Sequence, residues 1–209
     1  MDGVLIEAKQ WHFDALNRAL NLFGYAISLT DHYREFDGLP TKVKLARLSA
    51  KSSLPASLHG FINRMKQQYT LELARECLRP NPIHVETLAR LKREGYTLGL
   101  ASNSVRPTVD LMMKLSGLDK FLDFTLSNND VTLPKPSPEI YFRAIAKANV
   151  SPSECLVLED NPHGWQAATE AETNLLKIAE VSDVNYANIS RRISEVDRLD
   201  GDTSIRRAA

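Results

Sequence analysis

Four short stretches of this sequence carry side chains able to act on an oxygen-rich anion. They are Asp2-Gly3-Val4, Ser102-Asn103-Ser104, Lys135-Pro136-Ser137-Pro138 and Glu159-Asp160-Asn161. Between them they supply carboxylates, a hydroxyl with neighbouring amides, and an ammonium. Hard carboxylate oxygens suit Mg²⁺. A hydroxyl, backbone N–H groups and a lysine neutralise phosphoryl oxygens as charge builds in a transition state. The set therefore reads as a kit for phosphate bound to Mg²⁺. Each member alone has a plainer reading. Asp2 could be a solvated acid near a terminus, and Ser102 could cap the helix that follows it. Lys135 could be an exposed loop lysine, and Glu159-Asp160 could simply favour the next helix dipole.

Placing these groups requires strands that end just before them. Tyr96-Thr-Leu-Gly-Leu-Ala101, Asp123-Phe-Thr-Leu126, Cys155-Leu-Val-Leu-Glu159 and Asn174-Leu-Leu-Lys-Ile178 are short apolar runs. Such runs are the mark of buried parallel strands. Helical patterns lie between them. Pro82 to Arg93 sets Ile83, Leu88 and Leu91 on one face. Thr108 to Ser116 carries Val109, Met112, Met113 and Leu115 before a stop at Gly117. Pro138 to Ala148 carries Ile140, Tyr141, Ala144 and Ile145. Alternation of this kind predicts an α/β fold with a Rossmann-like, mainly parallel sheet. Ligands then bind at the carboxyl ends of the strands, where the second and fourth stretches stand.

Residues 9–79 differ. Trp11 to Phe23, Lys42 to Ser49 and Leu58 to Leu78 are helical in pattern, broken at Gly24, Asp37 to Pro40 and Ser52 to Pro55. The expected organisation is a core of residues 1–8 and 80–190, an inserted all-helical cap of residues 9–79, and a polar, frayed tail of residues 191–209 without function.

The 26 basic and 26 acidic side chains cancel. No net positive field exists to recruit nucleic acid or an anionic membrane surface, so neither is an expected partner. An anionic ligand must be held by local charges. Cys77 and Cys155 fit neither a disulfide framework nor a zinc site. Apolar runs are too short for a membrane span, and the start has no basic n-region. A cytoplasmic protein, monomeric or weakly dimeric, is expected.

The order of the motifs is specific. Asp-Gly-Val-Leu-Ile-Glu, a helical insert, Leu-Ala-Ser-Asn-Ser, Pro-Lys-Pro-Ser-Pro-Glu-Ile-Tyr and Leu-Glu-Asp-Asn-Pro-His-Gly follow one another across residues 1–180. This resembles the haloacid dehalogenase superfamily, in the branch of β-phosphoglucomutase and phosphoglycolate phosphatase. The resemblance implies an Mg²⁺-dependent phosphatase acting on a small phosphorylated metabolite, with a sugar phosphate favoured, through an aspartyl-phosphate. It implies that Asp2 is the general acid/base and touches the metal. Ser102 and Lys135 would be the catalytic hydroxyl and lysine, and Asn103 would offer a backbone amide to the substrate. Glu159 and Asp160 would be metal acids, with Asp160 the direct ligand and Glu159 acting through water. In the cap, His12 would face the substrate, and Thr41, Lys42 and Lys66 (with Arg34 and Lys44) could reach a distal phosphate or hydroxyl. A phosphomutase or a non-catalytic binding protein are the alternatives, and a dehalogenase is a distant third.

One departure stands out. The family pattern sets its covalent nucleophile, an aspartate, two positions before Asp2, and Met1 fills the place between. The nucleophile would be residue zero. The strand leading to it would lie centrally, between those ending at Ala101 and Leu158. Such a strand buries about four apolar side chains, on the order of 8 kcal/mol, against about 5–15 kcal/mol for a whole domain. The expectation is that the 209 residues made alone fold poorly and are inactive, a missed upstream start being the simplest explanation.

Overall fold

In the computed structural model, residues 1–36 and 39–199 are described. The chain divides into two compact units, Met1–Glu7 with the segment from Arg79 onward, and Ala8–Leu78. Asp37 and Gly38, part of one expected break, lie outside the described residues.

The second unit is helical. It runs α1 (Lys9–Asn21), a one-turn α2 (Leu29–Asp31) passing into a π-turn (His32–Phe36), α3 (Thr41–Ser52) and α4 (His59–Cys77). Leu16, Leu20, Leu45, Leu48, Leu54 and Ile62 close its own core. At about 1.5–3 kcal/mol for each large buried side chain, that core is enough to hold short helices that would be marginal alone.

The first unit continues α5 (Pro82–Arg93), β1 (Gly99–Ala101), α6 (Arg106–Ser116), β2 (Phe124–Leu126), α7 (Glu139–Ala148), β3 (Leu156–Glu159), α8 (Pro162–Glu170), β4 (Asn174–Lys177) and α9 (Tyr186–Leu199). All four expected strands are present, each somewhat shorter than its apolar run. β1 pairs in parallel with β2, matching Leu100 to Thr125. β3 pairs in parallel with β4, matching Val157 to Leu175. The parallel sheet thus comes as two pairs, and among the described residues no ladder joins β1 to β3. Both strands instead border an apolar cavity of about 240 Å³.

Helix ends follow local chemistry. The Asn81 side chain accepts from Ile83 N at 3.0 Å, with Pro82 in the first turn, where its missing N–H is harmless. Gly117, with φ of 67°, ends α6 in the left-handed conformation. Asn161 caps α8 by accepting from His163 N at 3.0 Å. That cap fixes the turn directly after Glu159 and Asp160.

Two expectations need correction. Ile83 does not face the core and is 54% exposed, whereas His84 is buried. His84 Nε2 donates to Val181 O at 2.8 Å, so the inward face of α5 carries an imidazole as well as Leu88 and Leu91. The presumed tail is also partly structural. Residues 191–199 belong to α9, whose Ile189, Ile193 and Val196 pack with Val4, Leu91 and Val184. Spacing of four and three residues gathers these apolar groups on one helix face, although charged residues intervene in the sequence. Residues 200–209 lie outside the described ones. Among the described residues no helix is long and apolar enough to cross a membrane.

Candidate active site at the carboxyl ends of β1 and β3

The centre of the site is a buried ion pair. Lys135 and Glu159 are each 7% exposed, with Lys135 Nζ 2.5 Å from Glu159 Oε1. The same ammonium donates to Ala101 O at 3.1 Å and lies 4.6 Å from the Tyr141 ring centre. Tyr141 Oη donates to Glu159 Oε1 at 3.1 Å, and Asp160 N donates to Glu159 Oε2 at 3.0 Å. Lys135 therefore ties the last residue of β1 to the last residue of β3. A buried pair is weak evidence for stability, because desolvation offsets most of its attraction. Its satisfied neighbours point instead to a prearranged charge.

Asn103 explains why Lys135 stays in place. Its Oδ1 accepts from Lys135 N at 3.0 Å, and its Nδ2 donates to Lys135 O at 3.2 Å. Ser102 stands between Ala101 and Asn103, so both of its neighbours hold Lys135. Ser102 N donates to Leu126 O at 3.0 Å, which continues the β1–β2 pairing, and Ser102 Oγ accepts from Ser104 N at 3.1 Å.

The N-terminal turn closes the circle. Ser104 Oγ donates to Asp2 Oδ2 at 2.8 Å. Gly3 has φ of 71° and donates from its N to Ile6 O at 2.8 Å. A β-carbon at Gly3 would fall 2.0 Å from Asp160 Oδ2, so only glycine lets the Asp160 carboxylate approach this turn. On the far side, a β-carbon at Gly164 would fall 2.1 Å from Glu159 Cδ. Contacts thus run unbroken from Asp2 through Ser104, Ser102 and Asn103 to Lys135, then through Glu159 and Asp160 back to Gly3.

The charges follow from this packing. Burial alone would raise the Glu159 pKa, but the Lys135 ammonium, then the N-terminal ammonium and the bonds from Lys135 and Tyr141, outweigh it and hold the carboxyl below its ordinary value. Burial, then the Glu159 charge, pushes the Tyr141 phenol well above its usual range, so it remains a donor. Burial also pushes the Cys155 thiol up to about 11, which makes it inert packing rather than a nucleophile.

Among the described residues, no group of three or more His, Cys, Asp or Glu side chains forms a ready metal cage. Mg²⁺ needs no such cage, since it is commonly held by one or two carboxylates plus phosphate and water. The Asp160 carboxylate against the Asp2-Gly3 turn is a donor set of that kind. Glu159 is different, because both its oxygens already accept hydrogen bonds.

The structure thus gathers Asp2, Ser102, Asn103, Lys135, Glu159 and Asp160 at one rim. Within the helical unit, Lys66 Nζ donates to His12 Nδ1 at 3.1 Å. Lys66 and Lys44 are buried, while Thr41 and Lys42 open α3. Arg34 is engaged with Asp31 and Glu35 on that unit's surface. Four contributors had no assigned role in the sequence reading: Ser104, Tyr141, Gly3 and Gly164. Only the i, i+2 spacing of Ser102 and Ser104 offered a hint, since it sets two hydroxyls in one short loop.

Comparison with known proteins gives the family and the fold. The family described as haloacid dehalogenase-like hydrolase matches residues 1–178, and the chain belongs to it. A "Phosphorylated carbohydrates phosphatase" of Thermotoga maritima is 29% identical over 171 residues, covering 82% of this chain and 78% of the relative. A "Pyrophosphatase PpaX" of Bacillus thuringiensis is 37% identical over 190 residues, covering 86% of this chain and 80% of the relative. Among solved structures, β-phosphoglucomutase from Clostridium difficile superposes with a TM-score of 0.78 at 20% identity, covering 93% of this chain and 94% of that one. That likeness establishes the shared fold. CbbY from Rhodobacter sphaeroides, solved in complex with phosphate, gives a TM-score of 0.74 at 25% identity, covering 84% and 81%.

Proposed function

We propose that this hydrolase is an Mg²⁺-assisted phosphatase of a small phosphorylated metabolite, with a sugar phosphate as the favoured substrate. The observation that supports it best is the closed ring of contacts from Asp2 to Asp160 around the carboxyl ends of β1 and β3. The phosphatase names of the relatives that span most of the chain point the same way.

In this reading Lys135 and Ser102 hold the phosphoryl oxygens. An ammonium has three N–H donors, and Ala101 O and Glu159 Oε1 engage two of them, so in this reading the third serves the substrate. Asn103 presents a backbone amide beside them. Asp160, with Asp2, would hold Mg²⁺, which when bound neutralises charge on the phosphoryl group. Glu159 sets the position of Lys135 and of Asp160 N. Asp2, oriented by Ser104, donates a proton to the leaving oxygen as the phosphorus–oxygen ester bond breaks, then takes one from the attacking water. His12, Lys66, Thr41 and Lys42 remain candidates for contacts with the rest of the substrate. The free thiols of Cys77 and Cys155 suit a reducing compartment such as the cytoplasm.

The aspartyl-phosphate step is proposed for a chain carrying an aspartate two positions before Asp2. There the carboxylate attacks phosphorus, and water later cleaves the acyl phosphate. The test is phosphate release from a panel of sugar phosphates, phosphoglycolate and pyrophosphate, with and without Mg²⁺. The chain would be extended ahead of Met1 by an apolar run, an aspartate and a spacer residue. Mg²⁺-dependent release, abolished by Asp2→Asn, is expected. Isomer formation without release would mark a phosphomutase. No turnover of any compound by a folded extended chain would overturn the proposal.

A further inference from the structure

We infer that Trp165 is a positioning residue for the Asp160 carboxylate, acting through the peptide that joins Glu159 to Asp160. The inference deepens the proposed function and rests on the reading that Asp160 holds Mg²⁺. That carboxylate has little latitude, because a β-carbon at Gly3 would fall 2.0 Å from its Oδ2. Its aim depends on the peptide before it. A peptide is planar, so holding both its carbonyl and its N–H fixes the plane. Both are held here. Asp160 N donates to Glu159 Oε2 at 3.0 Å. Glu159 O accepts from Ile178 N at 2.9 Å, which continues the β3–β4 pairing, and from Trp165 Nε1 at 3.0 Å. A carbonyl oxygen has two lone pairs, and two donors engage it.

The start of α8 suits this role. The helix begins at Pro162, behind the Asn161 cap, so Trp165 lies in its first turn. Helical side chains tilt back toward the N-terminus, which returns the indole to the end of β3. The residue before it is Gly164, where a β-carbon would fall 2.1 Å from Glu159 Cδ. One turn of helix thus makes room for the Glu159 side chain and pins the Glu159 carbonyl. An indole N–H donates only, so the bond cannot be reversed as a hydroxyl's can. Lys177 sits opposite Glu159 in the ladder. Its Nζ lies 4.3 Å from the centre of the Trp165 ring, a cation–π contact that holds the ring in place. Support of this kind behind a metal ligand tunes the affinity for the metal.

The test measures Mg²⁺ binding by the full chain, without substrate or turnover. Calorimetry should give about tenfold weaker binding for Trp165→Phe, which keeps an aromatic ring under Lys177 and loses the N–H. Urea unfolding of the same variant separates lost affinity from lost structure. A second readout leaves Trp165 in place, and so stands even where Trp165→Phe does not fold. The sequence has two tryptophans, so Trp11→Phe labelled with 5-fluorotryptophan carries its fluorine at Trp165. Its ¹⁹F resonance should shift in step with Mg²⁺ saturation, and Asp160→Asn should abolish the shift. Equal Mg²⁺ affinity of folded Trp165→Phe, or a resonance unmoved by bound Mg²⁺, would overturn the inference while the metal reading stands. No Mg²⁺ binding by the unsubstituted folded chain would overturn the inference together with the reading it rests on.

Discussion

The rim of the first unit and the cavity just below it are built on the same two strands and are opposite in character. At the rim, Lys135, Glu159, Tyr141 and Asn103 bond one another, Ser104 bonds Asp2, and two glycines admit the acids because no β-carbon would fit. Along the strands, the facing edges border about 240 Å³ of apolar space. The comparison teaches that, among the described residues, β1 and β3 are joined by side-chain links at their carboxyl ends and not by a ladder. Side-chain links at the strand ends, above all Lys135 between β1 and β3, hold the two halves in register.

Removing that link is the largest perturbation. Lys135→Met leaves Glu159 buried without its cation and should destabilise the chain by about 3–5 kcal/mol in urea unfolding. Adding Glu159→Leu to it should recover much of the loss. Adding a single carbon separates rim from cavity. Gly164→Ala drives a methyl into the Glu159 carboxylate and should destabilise by about 1–3 kcal/mol. Gly3→Ala, which also strains a left-handed backbone, should fall in the same range and weaken Mg²⁺ binding, read by calorimetry. Tyr141→Phe, which removes one donor to Glu159, should destabilise by about 1 kcal/mol. Val150→Ile, placed in the cavity lining, should instead stabilise by up to about 0.8 kcal/mol. If rim and cavity responded alike to an added carbon, the contrast between them would fail.

The smallest effect is electrostatic and lies away from both regions. Burial by itself would raise the Asp123 pKa, but Lys92 and the Leu98 N–H outweigh it and lower the value. A lowered folded pKa gives stability that is fully present above the unfolded value of about 4. That stability is lost as pH falls through the folded value. Lys92→Met should therefore flatten the acid limb of the stability profile slightly, and salt should mask the difference because the pair is partly exposed.

Much of this was legible in the order of residues. Apolar runs ending at Ala101 and at Leu158 located both strands of the rim, and the polar groups after them supplied Ser102, Glu159 and Asp160. The ring that joins them was not legible, because it depends on side chains that meet across long separations. Ser104 reaches Asp2 over 102 positions, and Tyr141 looks like one more apolar helix residue until its hydroxyl is seen on Glu159. Amphipathic reading failed at α5, where counting aliphatic residues put Ile83 inward and overlooked a buried histidine whose Nε2 donates to Val181 O. It failed at α9 because charged residues hide an apolar stripe of only three members. Gly3 and Gly164 could not be distinguished from ordinary turn glycines without the acids packed against them.

The most direct test is a crystal structure grown with Mg²⁺ and inorganic phosphate. The account predicts the metal on Asp160 at the Asp2-Gly3 turn, with phosphate oxygens on Lys135 Nζ and Ser102 Oγ, and Glu159 still bonded to Lys135 and Tyr141. Phosphate bound elsewhere on the first unit, with this rim carrying neither ion, would contradict it.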